Sequence, residues 1–376
     1  MKIRAALLTA METPKPYEFS KPVEIVELDL DPPGIGEVLV EIKAAGVCHS
    51  DLSIINGNRP RPLPMVLGHE ASGVVVDVGK GVTKLKPGDH VVFVFVPSCG
   101  HCKPCMSGRP ALCEPGAKAN LEGTLLGGGQ RLSWKGDKVN HQVGVSCFAE
   151  YAVSSEHSLI KIDKSLPIEE ASLFSCAVIT GVGAVLNAAR MPLGSTAAIV
   201  GCGGVGLNAL LAAGMLGAEK LVCIDLEERK LEYATQLGAT DTFNASDSFC
   251  IEKVLDATGG GLNYVFESAG NVTAMNLAYQ ITKRGGTLTS VGLSHPNTSF
   301  SVKHVNLVAE EKTIKGCYLG SCVPKRDIPL YIGFFKRGLL PVNRLISNRL
   351  TLDKINLAFD QLDSGNELRQ LITFGI

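Results

Sequence analysis

The sequence lacks a surplus of charge of either sign. Its 376 residues include 36 Lys and Arg against 37 Asp and Glu, which gives a formal net charge of −1. Without an excess of positive charge we expect no broad basic face for nucleic acid or for an anionic membrane surface. A small-molecule partner is the expectation that remains.

Long hydrophobic runs are also absent. No stretch of about 18 uninterrupted apolar residues occurs, so we expect no membrane-spanning helix. The first apolar stretch runs for only about seven residues before Glu12, which is marginal for a signal peptide, and we interpret it as a β-strand. Internal repeats and low-complexity segments are missing too. These features predict a soluble protein located in the cytoplasm.

Cysteine is sparse for a chain of this length. Disulfide scaffolds are short and dense in cysteine, whereas this chain spreads twelve cysteines over 376 residues. We therefore expect a reducing compartment and no disulfide framework. Most of the cysteines are scattered, but four of them are crowded between positions 99 and 113 and need their own explanation.

The length predicts two domains at roughly 150 residues each. Up to about residue 175 the apolar runs are short, β-branched and separated by Gly and Pro, which predicts a mostly β domain. From residue 179 strands alternate with helices, which predicts a doubly wound parallel sheet of six strands over 179–318. The tail holds two amphipathic helices and a strand. We assign it back to the first domain, which then comprises 1–178 and 319–376.

A Gly-rich turn lies inside the α/β region. Gly201, Gly203 and Gly206 form G-x-G-x-x-G directly after an apolar strand and directly before a helix. The first glycine allows a tight turn, the second lets the backbone approach a pyrophosphate, and the third allows close packing of helix on strand. The helix amino terminus can then bind the phosphates. The pattern predicts a dinucleotide site.

An acidic residue follows at the spacing expected for ribose recognition. Asp225 ends the next predicted strand, where a carboxylate can accept both ribose hydroxyls and repel a 2′-phosphate, so NAD is favoured over NADP. Arg229 and Lys230 leave room for use of both cofactors. The alternative is an ordinary Gly-rich turn with a surface aspartate. The combination of strand, helix and acid favours the cofactor site.

The four crowded cysteines lie in a loop at 96–115 that is rich in Gly, Pro and Lys and has little to build a core from. Thiolates at this spacing can surround Zn²⁺ tetrahedrally, and four of them leave no open position, so this zinc is predicted to be structural. The ferredoxin pattern of an iron–sulfur cluster has three residues before its last cysteine, whereas this loop has seven. The predicted ligands are Cys99, Cys102, Cys105 and Cys113.

Three further residues are candidates for a second metal site: Cys48, His69 and Cys176. Each alone is more often a buried thiol or a satisfied histidine, and spacing cannot unite them. Asp51 and Glu70 stand close to Cys48 and His69 and have the chemistry to orient a ligating imidazole. Two cysteines and one histidine would leave one position of a zinc ion open, as catalysis requires.

These motifs together resemble the zinc-dependent medium-chain alcohol dehydrogenases. The segments GVCHSD and GHEASGVVVDVG, the four-cysteine loop, the distant Cys176 and GCGGVG occur in the family's order and spacing over essentially the whole chain. The resemblance implies a GroES-like catalytic domain built from both ends of the chain, a Rossmann domain inserted between them, and an active site in the cleft.

The resemblance also implies roles for individual residues. Cys48, His69 and Cys176 would bind a catalytic zinc with Glu70 just behind it, giving two Zn²⁺ per chain. The remaining implied roles are Ser50 as receiver of the alcohol proton; His49 and Arg369 at the pyrophosphate; Thr180 and Val205 near the nicotinamide; Gly201, Gly203, Gly204 and Gly206 at the turn; Asp225 and Lys230 at the adenosine ribose; and Phe95 and Phe148 in an apolar substrate pocket.

The implied activity is reversible hydride transfer from a primary aliphatic or aryl alcohol to NAD, giving an aldehyde. The alternative is a thiol-adduct formaldehyde dehydrogenase of the S-hydroxymethylglutathione type, which shares every motif and differs in pocket charge. A metal-free relative that kept only the fold would lack ligands, and all seven candidate ligands are present.

Two further features of the sequence concern the route by which protons leave and the number of subunits. Animal liver-type enzymes carry a histidine three residues after the proton-relay hydroxyl, where this chain has Ser53, so we expect protons to leave through water or another residue. The long segment from Gly116 to His141 resembles that of dimeric family members. It predicts a homodimer, with a homotetramer as the alternative.

Overall fold

The structure is a computed structural model that describes residues 1–365 and 367–375. The chain divides into two compact units, and each is described by itself. The first comprises Met1–Cys176, Val323–Leu330 and Ile346–Ile376, and the second comprises Ala177–Cys322 and Tyr331–Leu345.

The first unit is mostly β, as predicted. Its helices before the second unit are α1 (Tyr17–Ser20), α2 (His49–Ile55), α3 (Lys103–Met106), α4 (Glu114–Glu122) and α5 (Ile168–Ala171). Its strands over the same part of the chain are β1 (Lys2–Leu8), β2 (Val23–Leu30), β3 (Glu37–Gly46), β4 (Met65–Val66), β5 (Glu70–Val78), β6 (His90–Phe93), β7 (Leu132–Trp134), β8 (Asp137–His141), β9 (Tyr151–Ser155) and β10 (Leu159–Ile162).

The second unit alternates strand and helix, which confirms the Rossmann-type prediction. Its helices are α6 (Ala177–Gly183), which continues as a π-helix over Ala184–Ala189, α7 (Gly204–Met215), α8 (Glu228–Gln236), α9 (Cys250–Thr258), α10 (Val272–Ile281) and α11 (His304–Ala309). Its strands are β11 (Thr196–Val200), β12 (Lys220–Asp225), β13 (Asp241–Asn244), β14 (Leu262–Glu267), β15 (Thr282–Ser290) and β16 (Thr313–Gly316).

The strands of this unit form one parallel sheet in the order β13-β12-β11-β14-β15-β16. The order reverses at β11, because the chain leaves β11 towards β12 and later returns to its other side as β14. Crevices at such a reversal, outside the carboxyl ends of the strands, bind ligands in open α/β sheets. The Gly-rich turn follows β11 at this point.

The tail adds α12 (Pro324–Lys336), β17 (Ile346–Leu350), α13 (Ile355–Asp363) and β18 (Arg369–Thr373). Strands β17 and β18 join the first unit. The interval 331–345 differs from the expected boundary, because it packs with the second unit. Asn187 donates to the Tyr331 hydroxyl at 3.1 Å, and the short helix Val342–Leu345 packs against α7.

Two β-layers organise the first unit. Strands β1, β2, β7, β8 and β4 close a barrel, and the order β10-β6-β5-β3-β18-β17 forms a sheet in which β9 also pairs with β3. The core consists of two apolar clusters, and Tyr17, Phe93, Phe148 and Phe359 are among the largest fully buried side chains of the larger one. Burial of this apolar area is the main term that stabilises the unit.

In the described part of the chain, no single helix is long and apolar enough to cross a membrane. Two consecutive helical segments, Ile168–Ser175 and Ala177–Ala189, are together long and apolar enough, but the chain bends by 50° between them.

Candidate functional site

Three neighbouring strands bring Cys48, His69 and Arg369 to one end of the sheet, and Cys176 comes from the turn before α6. Gly46, the last residue of β3, pairs with Glu70 of β5 and with Leu371 of β18, and both neighbours are antiparallel to β3. Cys48, which follows β3, therefore lies at the same end of the sheet as His69, which precedes β5. Arg369 opens β18 at that same end.

The structure brings the three predicted ligands together. One ligand atom each from Cys48, His69, Glu70 and Cys176 lies within 4.8 Å of the others. His69, Glu70 and Cys176 are buried, and Cys48 is half-buried. Two sulfurs and an imidazole nitrogen at this separation match the ligand types and the number of protein ligands of an open zinc site.

Asp51 fixes the imidazole. The Nδ1 atom of His69 lies 2.8 Å from the Oδ1 atom of Asp51, and both side chains are almost fully buried. A carboxylate accepts only, so Nδ1 carries a proton, and Nε2 is the nitrogen left to bind a metal. Within the described residues Nε2 is buried and has no hydrogen-bond partner. A zinc ion would give Nε2 the partner that it lacks, so the residues of this site fit the predicted ion.

The electrostatics of the cluster favour a cation. Burial lowers the pKa of His69, but the Asp51 carboxylate and the Cys48 thiolate outweigh it and raise the pKa to about 10. A hydrogen bond from Cys176 lowers the pKa of the Cys48 thiol well below its usual range, with further help from His69. The raised pKa of His69 indicates a negative potential at the imidazole, and the lowered pKa of Cys48 favours the thiolate, which is the form that binds Zn²⁺.

Glu70 and Arg369 form a buried ion pair behind the ligands. The Arg369 guanidinium contacts Glu70 Oε2, and Glu70 Oε1 lies 3.7 Å from His69 Nε2. Gly46 makes this contact possible, because a Cβ atom there would lie 2.5 Å from Glu70 Oε2 and 2.9 Å from the guanidinium. No motif in the sequence marks Gly46 as part of the site. The contact of Arg369 with a pyrophosphate stays a prediction.

The two phenylalanines predicted to line a substrate pocket lie in different surroundings. Phe95 lies beside the ligands, with its ring 5.4 Å from the His69 ring in an edge contact. The resemblance implies Phe148 in the substrate pocket, but the structure places it in the core, fully buried and edge to face with Phe359 at 6.2 Å. The place of Phe95 and Phe148 in a substrate pocket stays a prediction.

Helix α2 begins with His49, which is predicted to contact the pyrophosphate, and Ser50, which is predicted to receive the alcohol proton. His49 is exposed and Ser50 is half-buried. The Ser53 hydroxyl donates to the backbone carbonyl of Ser50 at 2.8 Å, and Ser53 is buried. That protons leave through water or another residue stays a prediction.

The four-cysteine loop places its sulfurs together as well. The Sγ atoms of Cys99, Cys102, Cys105 and Cys113 lie within 4.8 Å of one another. Backbone N–H groups donate to two of these sulfurs: Cys102 to Cys99 Sγ at 3.3 Å, and Cys99 to Cys113 Sγ at 3.2 Å. A further backbone hydrogen bond, from Cys105, lowers the pKa of Cys102 to about 6. All twelve cysteines of the chain lie in its described part and form no disulfide.

In the second unit, the Gly-rich turn has the geometry that its three glycines predict. Gly201 has φ +95°, and a Cβ atom on Gly206 would lie 1.9 Å from the Gly201 carbonyl oxygen, so helix α7 packs directly on the turn. At Gly203 an added Cβ atom would meet open space. The first amides of α7 are available to phosphate oxygens there.

Asp225 ends β12 beside this turn. Its carboxylate accepts from the N–H of Cys202 at 2.6 Å and from the N–H of Glu227 at 3.1 Å, and Lys230 Nζ lies 3.9 Å away. The carboxylate is therefore held in place. The other predicted residues of this unit, Thr180 in α6 and Gly204 and Val205 in α7, lie on helices that pack together, and their contacts with a cofactor stay predictions.

Comparison with known proteins agrees with this architecture. The profile of the alcohol dehydrogenase GroES-like domain matches residues 34–164, and that of the zinc-binding dehydrogenase family matches residues 204–337. The chain belongs to the zinc-dependent medium-chain alcohol dehydrogenase family, whose members use zinc and a nicotinamide cofactor. It is an oxidoreductase that acts on small-molecule alcohols.

Individual relatives extend over the whole chain. A putative alcohol dehydrogenase D of Mycobacterium tuberculosis is 39% identical over 99% of this chain and 100% of its own length. Alcohol dehydrogenase class-3 of Drosophila melanogaster is 38% identical over 95% of this chain and 96% of its own length. The crystal structure of benzyl alcohol dehydrogenase from Acinetobacter calcoaceticus superposes with a TM-score of 0.92 at 33% identity and full coverage of both chains.

Proposed function

We propose that the protein oxidises primary alcohols, aliphatic or aryl, to aldehydes with NAD and catalyses the reverse reaction. The observation that carries the proposal is the meeting of Cys48, His69 and Cys176, with an orphaned imidazole Nε2, beside an apolar ring. The likeness to a benzyl alcohol dehydrogenase supports an aryl substrate in particular.

We assign Cys48, His69 and Cys176 as the ligands of a catalytic zinc. When bound, Zn²⁺ supplies Lewis acidity that makes the alcohol proton easier to remove. Asp51 holds His69 in the ligating tautomer, and the Glu70–Arg369 pair forms the buried floor beneath the ligands. Ser50 receives the alcohol proton and hands it onward, and Phe95 presents an apolar surface that excludes water.

The four-cysteine loop holds a second, structural zinc, which gives two zinc ions per chain. Because the loop offers few core contacts of its own, the metal supplies much of its folding free energy. Metal analysis of the purified protein should return two zinc ions per chain. A value well below two would contradict both assignments.

NAD is the proposed hydride acceptor, bound at the turn after β11. The anchored carboxylate of Asp225 accepts from ribose hydroxyls and disfavours the 2′-phosphate of NADP. The variant Asp225→Ser should lower the ratio of kcat/KM with NAD to kcat/KM with NADP. Asp241→Asn, a carboxylate change at the start of β13 in the same sheet, should leave the ratio unchanged. An unchanged ratio in Asp225→Ser would contradict the assignment of Asp225.

The central experiment is a substrate panel followed at the absorbance of the reduced nicotinamide. Aliphatic, aryl and branched alcohols are each offered with NAD or NADP, and formaldehyde is offered with and without glutathione. The highest kcat/KM should be found with a primary alcohol and NAD. Activity confined to formaldehyde with glutathione would replace the proposal with the thiol-adduct alternative.

The role of Ser50 has a separate test. The variant Ser50→Ala should lower kcat while both zinc ions remain bound.

We further propose a cytoplasmic homodimer. The segment 116–141 is of the length found in dimeric members of the family, and twelve cysteines without a disulfide suit a reducing compartment. Light scattering of the purified protein should give twice the chain mass of 39.8 kDa. A fourfold mass would establish the tetramer instead, and recovery from an oxidising compartment in cell fractionation would contradict the cytoplasmic location.

A further inference from the structure

The long segment after the four-cysteine loop ends in β8, and the register of β8 gives the segment a function. Strand β8 runs parallel to β4, with Val66 paired to His141. The residues that follow these two strands therefore emerge side by side. Gln142 therefore contacts Gly68, and it also contacts Asp51, which is 91 residues away in the sequence.

The amide of Gln142 connects two parts of the site. Its Nε2 atom donates to Asp51 Oδ1 at 2.7 Å, and its Oε1 atom accepts from the N–H of Gly68. A carboxylate only accepts and a backbone N–H only donates, so one orientation of the amide satisfies both bonds. Gln142 is 3% exposed, so little water competes for them.

Both partners of this amide control His69. Asp51 Oδ1 accepts from His69 Nδ1 as well as from Gln142, and Asp51 Oδ2 accepts from the N–H of Cys48 at 3.2 Å. Gly68 stands directly before His69 with φ +98°, where a Cβ atom would lie 2.5 Å from the Phe148 nitrogen. The imidazole is thus held through its ring and through the backbone that carries it.

Gln142 is itself anchored. Its N–H donates to the Ser146 hydroxyl at 2.9 Å, and that hydroxyl donates to the Val66 carbonyl at 2.8 Å. Its carbonyl accepts from the N–H of Val145 at 2.9 Å. These hydrogen bonds fix the turn after β8 to the end of β4. The backbone of Gln142 is therefore held in place, and its side-chain amide can hold Asp51 and Gly68.

We propose that Gln142 is a positioning residue of the catalytic zinc site, which sets the direction of His69 Nε2 by holding Asp51 and the backbone of Gly68 at one fixed separation. This inference rests on the proposed assignment of His69 as a zinc ligand. Removing the amide leaves a buried N–H without an acceptor and takes one donor from Asp51, which loosens the imidazole without touching the metal.

The test is the rate at which each zinc is released to a chromogenic chelator from the intact enzyme. In Gln142→Met, a change of similar volume, the catalytic zinc should be released about tenfold faster, because changing a direct partner of a metal ligand lowers metal affinity about tenfold to a hundredfold and Gln142 acts through such a partner. The zinc of the four-cysteine loop should be released at the wild-type rate. Release of the catalytic zinc at the wild-type rate overturns the proposal.

Asn356 supplies a matched control in the same unit. It is also buried, and its amide donates to the Val23 carbonyl at 2.8 Å and accepts from the Val23 N–H at 3.2 Å. Asn356→Leu should leave the release rates of both zinc ions as in the wild type. If it accelerates loss of the catalytic zinc as much as Gln142→Met does, the effect reports general loosening and the proposal fails.

Two further variants complete the design. Gln142→Asn keeps the amide but is one methylene shorter, so it reaches only one partner and should release the catalytic zinc at an intermediate rate; it replaces Gln142→Met if that variant does not fold. Combining Gln142→Met with Asp51→Asn should accelerate release by less than the product of the single effects, because both act through one contact. A multiplicative effect would overturn the inference.

One outcome separates this inference from the proposed function. His69→Gln in the wild-type background should remove one zinc ion per chain. If it does not, the assignment of His69 as a ligand is wrong. If His69→Gln loses that zinc while Gln142→Met releases it at the wild-type rate, the assignment stands and only the positioning role of Gln142 is refuted.

Discussion

A buried histidine outside the zinc sites should make the stability of the first unit depend on pH. His141 is 1% exposed, its Nε2 atom accepts from the N–H of Arg131 at 3.0 Å, and its Nδ1 atom has no partner among the described residues. Burial, with the nearby charges of Arg131 and Lys138, lowers the pKa of His141 to about 3. The folded protein therefore holds this ring neutral.

The sign and size of the effect follow from linkage. The unfolded chain protonates His141 near pH 6.5, while the folded chain does so only near pH 3. Between these values the unfolded state binds one more proton, so the free energy of unfolding falls as the pH falls. The slope is about 1.4 kcal/mol per pH unit, and lowering the pH from about 7.5 to about 5 costs about 2 kcal/mol through this residue.

The substitution His141→Gln removes the titration and keeps an acceptor for the N–H of Arg131. Urea denaturation at both pH values should show that the wild type loses about 2 kcal/mol more than the variant on acidification. His304→Gln, the same change at an exposed position, should follow the wild type. Identical losses in the wild type and in His141→Gln would show that the burial of this ring has no energetic consequence.

Three further predictions concern other parts of the molecule. Arg369→Met should lower the free energy of unfolding by about 3–5 kcal/mol in urea, because it leaves Glu70 buried without its partner, and Arg369→Lys should recover part of the loss. Cys105→Ser should remove one zinc per chain and open the four-cysteine loop to trypsin, whereas wild-type trypsin resistance would contradict a structural zinc. Gly206→Ala should weaken NAD binding in calorimetry while the zinc content stays at the wild-type value, because the new Cβ atom would meet the Gly201 carbonyl oxygen.

The elements that the sequence predicted are those whose own side chains repeat with a helical or strand period. The strands and helices predicted to alternate over 179–318 occur as β11 to β16 with helices between them, and the turn after β11 has the geometry that its glycines require. No apolar run marked β2, β4, β7, β8, β13 and β17. Several of these strands are short, and β13 and β17 have no fully buried residue. Such strands take their conformation from neighbours in the sheet, so their own composition carries little signal.

The chemistry of the site could be predicted from residue types, whereas the contacts within it depend on strand register. The cysteines and His69 are recognisable because few other side chains bind zinc. Nothing near Gly46 reveals that Glu70 and Arg369, 299 residues apart, come within 3 Å of the position its Cβ atom would take. Gln142 is hidden for the same reason, because the two-residue pairing of β4 with β8 places it. A pattern within one strand cannot specify the register between two, so residues that position the ligands had to be found from the fold.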